Sequence, residues 1–165
     1  MNNDFVNDHA VILLAEDNDD DAFFIERAFR TARLANPIIR VINGEEAIAY
    51  LDGEGKYADR GKYPCPYFLL LDLKMPKVDG FGVLEWIRKH PLLNNMLVVV
   101  LTGQPLDSPA HESMVAHAYE LGANSFLRKT PNFDDMVRLV TSIGGYWLMV
   151  NVPPPASAPL IQARV

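Results

Sequence analysis

Three stretches of the chain are apolar at nearly every position yet too short for a helix: "VILLAED" (Val11 to Asp17), "FLLLD" (Phe68 to Asp72) and "MLVVVLTG" (Met96 to Gly103). Runs of this kind fit strands buried on both faces, as in the middle of a parallel sheet. Two weaker runs, "PIIRVIN" (Pro37 to Asn43) and "NSFLRK" (Asn124 to Lys129), alternate or are brief, and read as outer strands. Between these runs the pattern predicts helices over Asp19 to Leu34, Gly44 to Leu51, Gly80 to His90, Ala110 to Leu121 and Phe133 to about Val150. Ala22, Ile25, Phe29 and Ala32 form the apolar stripe of the first helix. Met114, Val115, Ala118 and Leu121 form that of the fourth, which Gly122 is placed to cap.

Strand and helix alternate five times, which predicts a doubly wound α/β domain: a five-stranded parallel sheet with helices on both faces. With 165 residues, 49% of them hydrophobic and 22% charged, one domain with a full core is expected. It should span residues 10–150, between an N-terminal extension (1–9) and a Pro-rich tail (151–165). "GEGKYADRGKYPCP" (Gly53 to Pro66), rich in Gly, Pro and charge, reads as a surface loop. Fifteen Lys and Arg against 21 Asp and Glu leave a net charge of −6, which argues against nucleic acid or anionic lipid as partner. No signal sequence or membrane-spanning run is evident, and the lone Cys65 has no intramolecular disulfide partner, so a cytoplasmic location is expected.

In an open α/β sheet, ligands gather beyond the carboxyl ends of the strands. Those ends carry Glu16 and Asp17 on the first strand, Asp72 on the third, Thr102 and Gly103 on the fourth, and Lys129 on the fifth. Two carboxylates ~4 Å apart repel by about 4 kcal/mol at an effective dielectric near 20, so a cation belongs among them. Mg²⁺ suits an oxygen-rich site that leaves room for water and a phosphoryl oxygen. Asp72 then has the character of a carboxylate nucleophile that takes a phosphoryl group. Lys129 and the cation would neutralise the transferred group's oxygens, and Thr102 would donate a hydrogen bond to one of them.

"AEDN" after the first strand, "LLDLKMPKVDG" around Asp72, "LTG" after the fourth strand and "FLRK" at the fifth resemble the receiver domain of bacterial response regulators, over about Ala10 to Val150. That resemblance implies the flavodoxin-like receiver fold with strand order 2-1-3-4-5, and Asp72 as phospho-acceptor for a sensor histidine kinase. Glu16, Asp17 and Asp72 would hold Mg²⁺ together with the backbone carbonyl of Lys74. Thr102 and Lys129 match the phosphoryl-sensing pair, and Phe126 matches the aromatic switch residue. Lys74 and Gln104 flank the route of attacking water and would tune the phosphoryl lifetime. The implied activity is that of a signalling switch in a two-component phosphorelay. Its only chemistry would be Mg²⁺-dependent self-phosphorylation and autodephosphorylation, and its output a protein contact or homodimerisation through the fourth helix, fifth strand and fifth helix.

Family members usually place Pro directly after the lysine, with a cis peptide, whereas here Lys129-Thr130-Pro131 moves it one place on. A cis bond before Thr130 would cost about 2.5–4 kcal/mol, so a trans bond and an altered loop are expected. That loop, the Gly53 to Pro66 insertion and "GGYWLMV" late in the last helix resemble the single-domain regulators that partner bacterial phytochromes, which implies a phytochrome kinase as donor.

Simpler readings apply elsewhere. Asp19, Asp20 and Asp21 open a helix, where negative charge complements the dipole, and are read as structural. His9, His90, His111 and His117 lack metal-ligand spacing and are read as surface or interface residues. Tyr146 and Trp147 either close the core or extend a dimer surface, and the helix-weakening Gly144-Gly145 before them favours the second. A dehalogenase-type phosphatase would need a second acid two residues after the nucleophile, where Lys74 stands; a flavin binder would need a phosphate-cradling loop in place of "AEDNDDD".

Overall fold

The computed structural model describes residues 10–103 and 109–151; His9, Gln104, the expected extension (1–9) and the tail beyond Asn151 lie outside them. Five strands, β1 (Ile12–Ala15), β2 (Ile38–Val41), β3 (Phe68–Leu71), β4 (Leu97–Thr102) and β5 (Ser125–Arg128), form one parallel sheet ordered β2-β1-β3-β4-β5. The five helices are α1 (Asp19–Thr31), α2 (Gly44–Asp52), α3 (Gly80–Lys89), α4 (Pro109–Glu120) and α5 (Phe133–Ile143). No helix among the described residues is long and apolar enough to cross a membrane.

Strand side chains point alternately to the two faces, so each central strand feeds two cores. Leu13, Leu69, Leu71, Val98 and Val100 pack under Ala47, Leu51, Val83, Leu84 and Ile87 of α2 and α3. Ile12, Leu14, Phe68, Leu70 and Val99 pack under Ile25 and Phe29 of α1 and Met136 and Val140 of α5. β1, β3 and β4 are buried along their whole lengths, which is why their sequences read as unbroken apolar runs.

Three local departures have identifiable causes. α1 stops at Thr31 rather than Leu34, because Arg33 takes a left-handed φ of 58° and the Leu34 amide folds back to the Phe29 carbonyl at 3.1 Å. α5 ends at Ile143 and continues as a π-helical segment, Gly144–Val150. A Cβ on Gly144 would lie 2.5 Å from Leu34 Cδ1, so a larger residue there would require the Leu34 side chain to move aside. The Gly53 to Pro66 insertion is more than a surface loop. Tyr57 and Cys65 are buried, and Tyr57 and Tyr63 stack around the fully buried Tyr50. Arg60 Nη1 and Nη2 donate to the Tyr50 and Leu51 carbonyls at 2.7 Å each, capping the end of α2.

Candidate functional site

The pairing register builds the site before any side chain is considered. Ala15 pairs with Leu71 across β1 and β3, so the residues that follow, Glu16 and Asp72, emerge side by side at the sheet's carboxyl edge. Leu71 pairs with Val100, and Thr102 pairs with Arg128, which brings Thr102 and Lys129 to the same edge. This rim flanks the point where strand order reverses, between β1 and β3.

Carboxylate oxygens of Glu16, Asp17 and Asp72 all lie within 4.8 Å of one another, with Glu16 and Asp72 buried and Asp17 exposed. Clustered hard oxygen donors, some open to solvent, are the donor set of a divalent Mg²⁺-type site, and these three residues fit such an ion. Lys129 Nζ stands among the acids, 2.5 Å from Glu16 Oε2, 2.9 Å from Asp21 Oδ2 and 3.2 Å from Asp72 Oδ2. Burial holds the Glu16 carboxyl above its ordinary range and the Asp72 charge adds to this, while Lys129 opposes both. Burial would lower the Lys129 ammonium, but its bonds to Glu16 and Asp21 and the Asp72 charge outweigh burial and hold it above its ordinary value.

The surrounding backbone holds the acids in place. The Lys74 amide donates to Asp72 Oδ1 at 3.4 Å, and the Asn18 amide to Glu16 Oε1 at 3.1 Å. At Gly80, the first residue of α3, a Cβ would meet the Asp72 carbonyl oxygen at 2.5 Å, so the helix after the β3 loop closes against the acid only because that position is glycine. Arg40 of β2 donates to the Glu16 carbonyl at 2.9 Å, the Asp17 carbonyl at 3.0 Å and Asp19 Oδ1 at 2.7 Å. Sequence reading missed Arg40, whose one signal was a charge inside an apolar run.

Thr102 is buried beside this cluster, and its Oγ1 has no hydrogen-bond partner among the described residues. Phe126 is half-buried on β5, its ring meeting that of His111 edge to face with centroids 5.8 Å apart. The structure thus gathers Glu16, Asp17, Asp72 and Lys129 and puts the amide of Lys74 beside them, with Thr102 and Phe126 on the adjoining strands.

Two readings need correction. Asp21 does more than complement the helix dipole, since its carboxylate takes one of the three Lys129 contacts; the N-cap of α1 is Asn18, whose side chain accepts from the Asp21 amide. His111 is buried, not a surface residue, because α4 turns it inward against Phe126. His117 is exposed beside Glu120, and His90 Nε2 meets Asp52 Oδ1 at 3.2 Å. The bond before Thr130 is trans, as expected, and the Asn132 amide donates to Thr130 Oγ1 at 3.2 Å within that loop.

Comparison with known proteins gives the same answer as the geometry. Response regulator Rcp1 of Synechocystis sp. is 35% identical over 146 residues, 88% of this chain and 94% of that protein. The crystal structure of the Mn(2+)-bound form of Rcp1 superposes with a TM-score of 0.75 at 34% identity, covering 88% of this chain and 99% of that one. That of the phosphorylated cyanobacterial phytochrome response regulator RcpA gives 0.78 at 34% identity, covering 89% and 99%. The family model for the response regulator receiver domain matches residues 12–141, and it is to this family that the chain belongs.

Proposed function

We propose that the protein is a phosphorelay switch in which Asp72 accepts the phosphoryl group of a phosphohistidine on a sensor kinase. An Asp72 carboxylate oxygen forms the new O–P bond as the N–P bond breaks; the electron pair returns to the imidazole, which takes a proton from solvent. Glu16, Asp17 and Asp72, with the Lys74 carbonyl, would hold a divalent cation, for which Mg²⁺ is the natural candidate and which would supply positive charge against the phosphoryl oxygens. Lys129 neutralises a further oxygen and Thr102 donates to another, which draws Thr102 toward the acid and opens space for Phe126 to turn inward. Lys74 and Gln104 tune how soon water removes the group.

The observation that carries this reading is the Asp72 carboxylate held on a rigid strand end between an ammonium at 3.2 Å and two further acids. Acetyl phosphate with Mg²⁺ should add one phosphoryl group to the wild-type protein, seen by intact mass, and none to Asp72→Asn. An unmodified wild-type protein would refute the proposal.

The likeness to a phytochrome response regulator favours a phytochrome histidine kinase as donor, and phosphotransfer profiling against purified kinases tests this. The output is homodimerisation through α4, β5 and α5, a face on which Tyr119 is 49% exposed. Gel filtration with and without beryllofluoride should show the dimer; a monomer in both states would exclude it.

A further inference from the structure

Of the three carboxylates around the Lys129 ammonium, Glu16 and Asp72 also belong to the cation cluster, and Asp21 does not. An ammonium has three N–H bonds, and here each has a carboxylate within reach. A cation at the cluster engages the same two acids that Lys129 uses, so only the Asp21 contact is unshared.

Asp21 is itself well fixed. It stands in the first turn of α1, where its amide donates to Asn18 Oδ1 at 2.9 Å, and its carboxylate approaches Lys129 from the solvent side: the Asp21 side chain is 47% exposed, that of Lys129 11%. We propose that Asp21 is a positioning residue that retains the Lys129 ammonium at the mouth of the pocket once Glu16 and Asp72 turn to the cation, keeping it aimed at the phosphoryl oxygen. The inference rests on Asp72 being the phospho-acceptor. A tethering acid could instead compete with the phosphoryl group for Lys129, an effect of opposite sign. Donor number favours positioning: with Asp21 holding one N–H, two remain for the phosphoryl oxygens.

Asp21→Asn and Asp21→Ala remove the same charge, and only Asn keeps an oxygen that can accept from Lys129. In calorimetric titrations the two variants should bind Mg²⁺ alike. With Mg²⁺ saturating, Asp21→Ala should bind beryllofluoride about tenfold more weakly than Asp21→Asn. In a Lys129→Met background Asp21→Ala should add no further loss, because the two residues act as a unit. In EDTA, without metal or phosphoryl mimic, the shifts in urea unfolding midpoint caused by Asp21→Ala and Lys129→Met should likewise be non-additive. Equal or tighter beryllofluoride binding by Asp21→Ala, or an undiminished loss in the Lys129→Met background, would overturn the inference while leaving the acceptor reading intact. Equal beryllofluoride binding by wild type and Asp72→Asn would overturn both.

Discussion

The Phe126 amide donates to the Tyr119 hydroxyl at 3.2 Å, which ties α4 to β5 across the outer edge of the sheet. β5 has a neighbour only on the β4 side, and an edge amide left bare is normally satisfied by water. Here a tyrosine on the helix replaces that water, and the residue it holds is the one expected to switch. Tyr119→Phe removes the acceptor and keeps the ring. The expected loss is about 1 kcal/mol of local protection, so the Phe126 amide should exchange with deuterium roughly five- to tenfold faster, with β1 and β3 amides unchanged.

His111 fills the inner side of the same contact. It is 9% exposed and its Nδ1 has no hydrogen-bond partner among the described residues, so a polar atom is buried where an apolar one would do. His111→Leu retains most of the packing volume and removes the unsatisfied nitrogen, and should stabilise the protein by about 1 kcal/mol. His111→Ala leaves a hole behind Phe126 and should destabilise it by about 1–2 kcal/mol. Thermal unfolding separates them; a His111→Leu variant less stable than wild type would mean that the nitrogen is bonded.

Thr102 carries the same liability, as the role proposed for it requires. Its hydroxyl is buried and without a partner among the described residues, beside the acid it is proposed to sense. Thr102→Val keeps the β-branched shape that β4 packs around and deletes only the hydroxyl. It should raise the unfolding free energy by up to about 1 kcal/mol and weaken beryllofluoride binding by roughly tenfold, as expected for one lost hydrogen bond to a charged oxygen. A stability gain paired with a binding loss is what a group kept for the phosphorylated state should show.

Why some of these residues could be read from the sequence and others not is a matter of where the signal lies. Thr102 ends a strand and Glu16, Asp72 and Lys129 each directly follow one, and strand ends are marked in the chain by the halt of an apolar run. Asp21 lies outside that logic: it stands among the acids of the first turn of α1, and its contact with Lys129 of the distant β5 end is not marked in the chain. The insertion hid its contribution because Tyr57 and Cys65 enter the core from a segment with no periodicity, Tyr57 through a single 3₁₀ turn and Cys65 from irregular chain. His111 stands one turn before Met114 and Val115 and two before Ala118, in line with the apolar stripe of α4, and only the polarity of its side chain made it read as a surface residue.

The insertion also gives stability a dependence on alkaline pH. Tyr50 is fully buried, and its hydroxyl donates to the Pro64 carbonyl at 2.8 Å, fastening the insertion to α2. Burial, above all, raises the Tyr50 phenol well beyond its ordinary value, with the charge of the nearby Arg60 pulling the other way. An unfolded tyrosine ionises near pH 10, so above about pH 10 the native state holds a proton that the unfolded chain has lost. The stabilisation is therefore complete below about pH 10 and falls away as pH rises toward the native value, by up to about 1.4 kcal/mol per pH unit from this one residue. Tyr50→Phe strands the Pro64 carbonyl and should cost about 1 kcal/mol at pH near 8, yet flatten the alkaline decline. Urea unfolding of both proteins across the alkaline range measures this: the two stability curves should converge as pH rises, and parallel curves would mean that Tyr50 ionises without hindrance in the native fold.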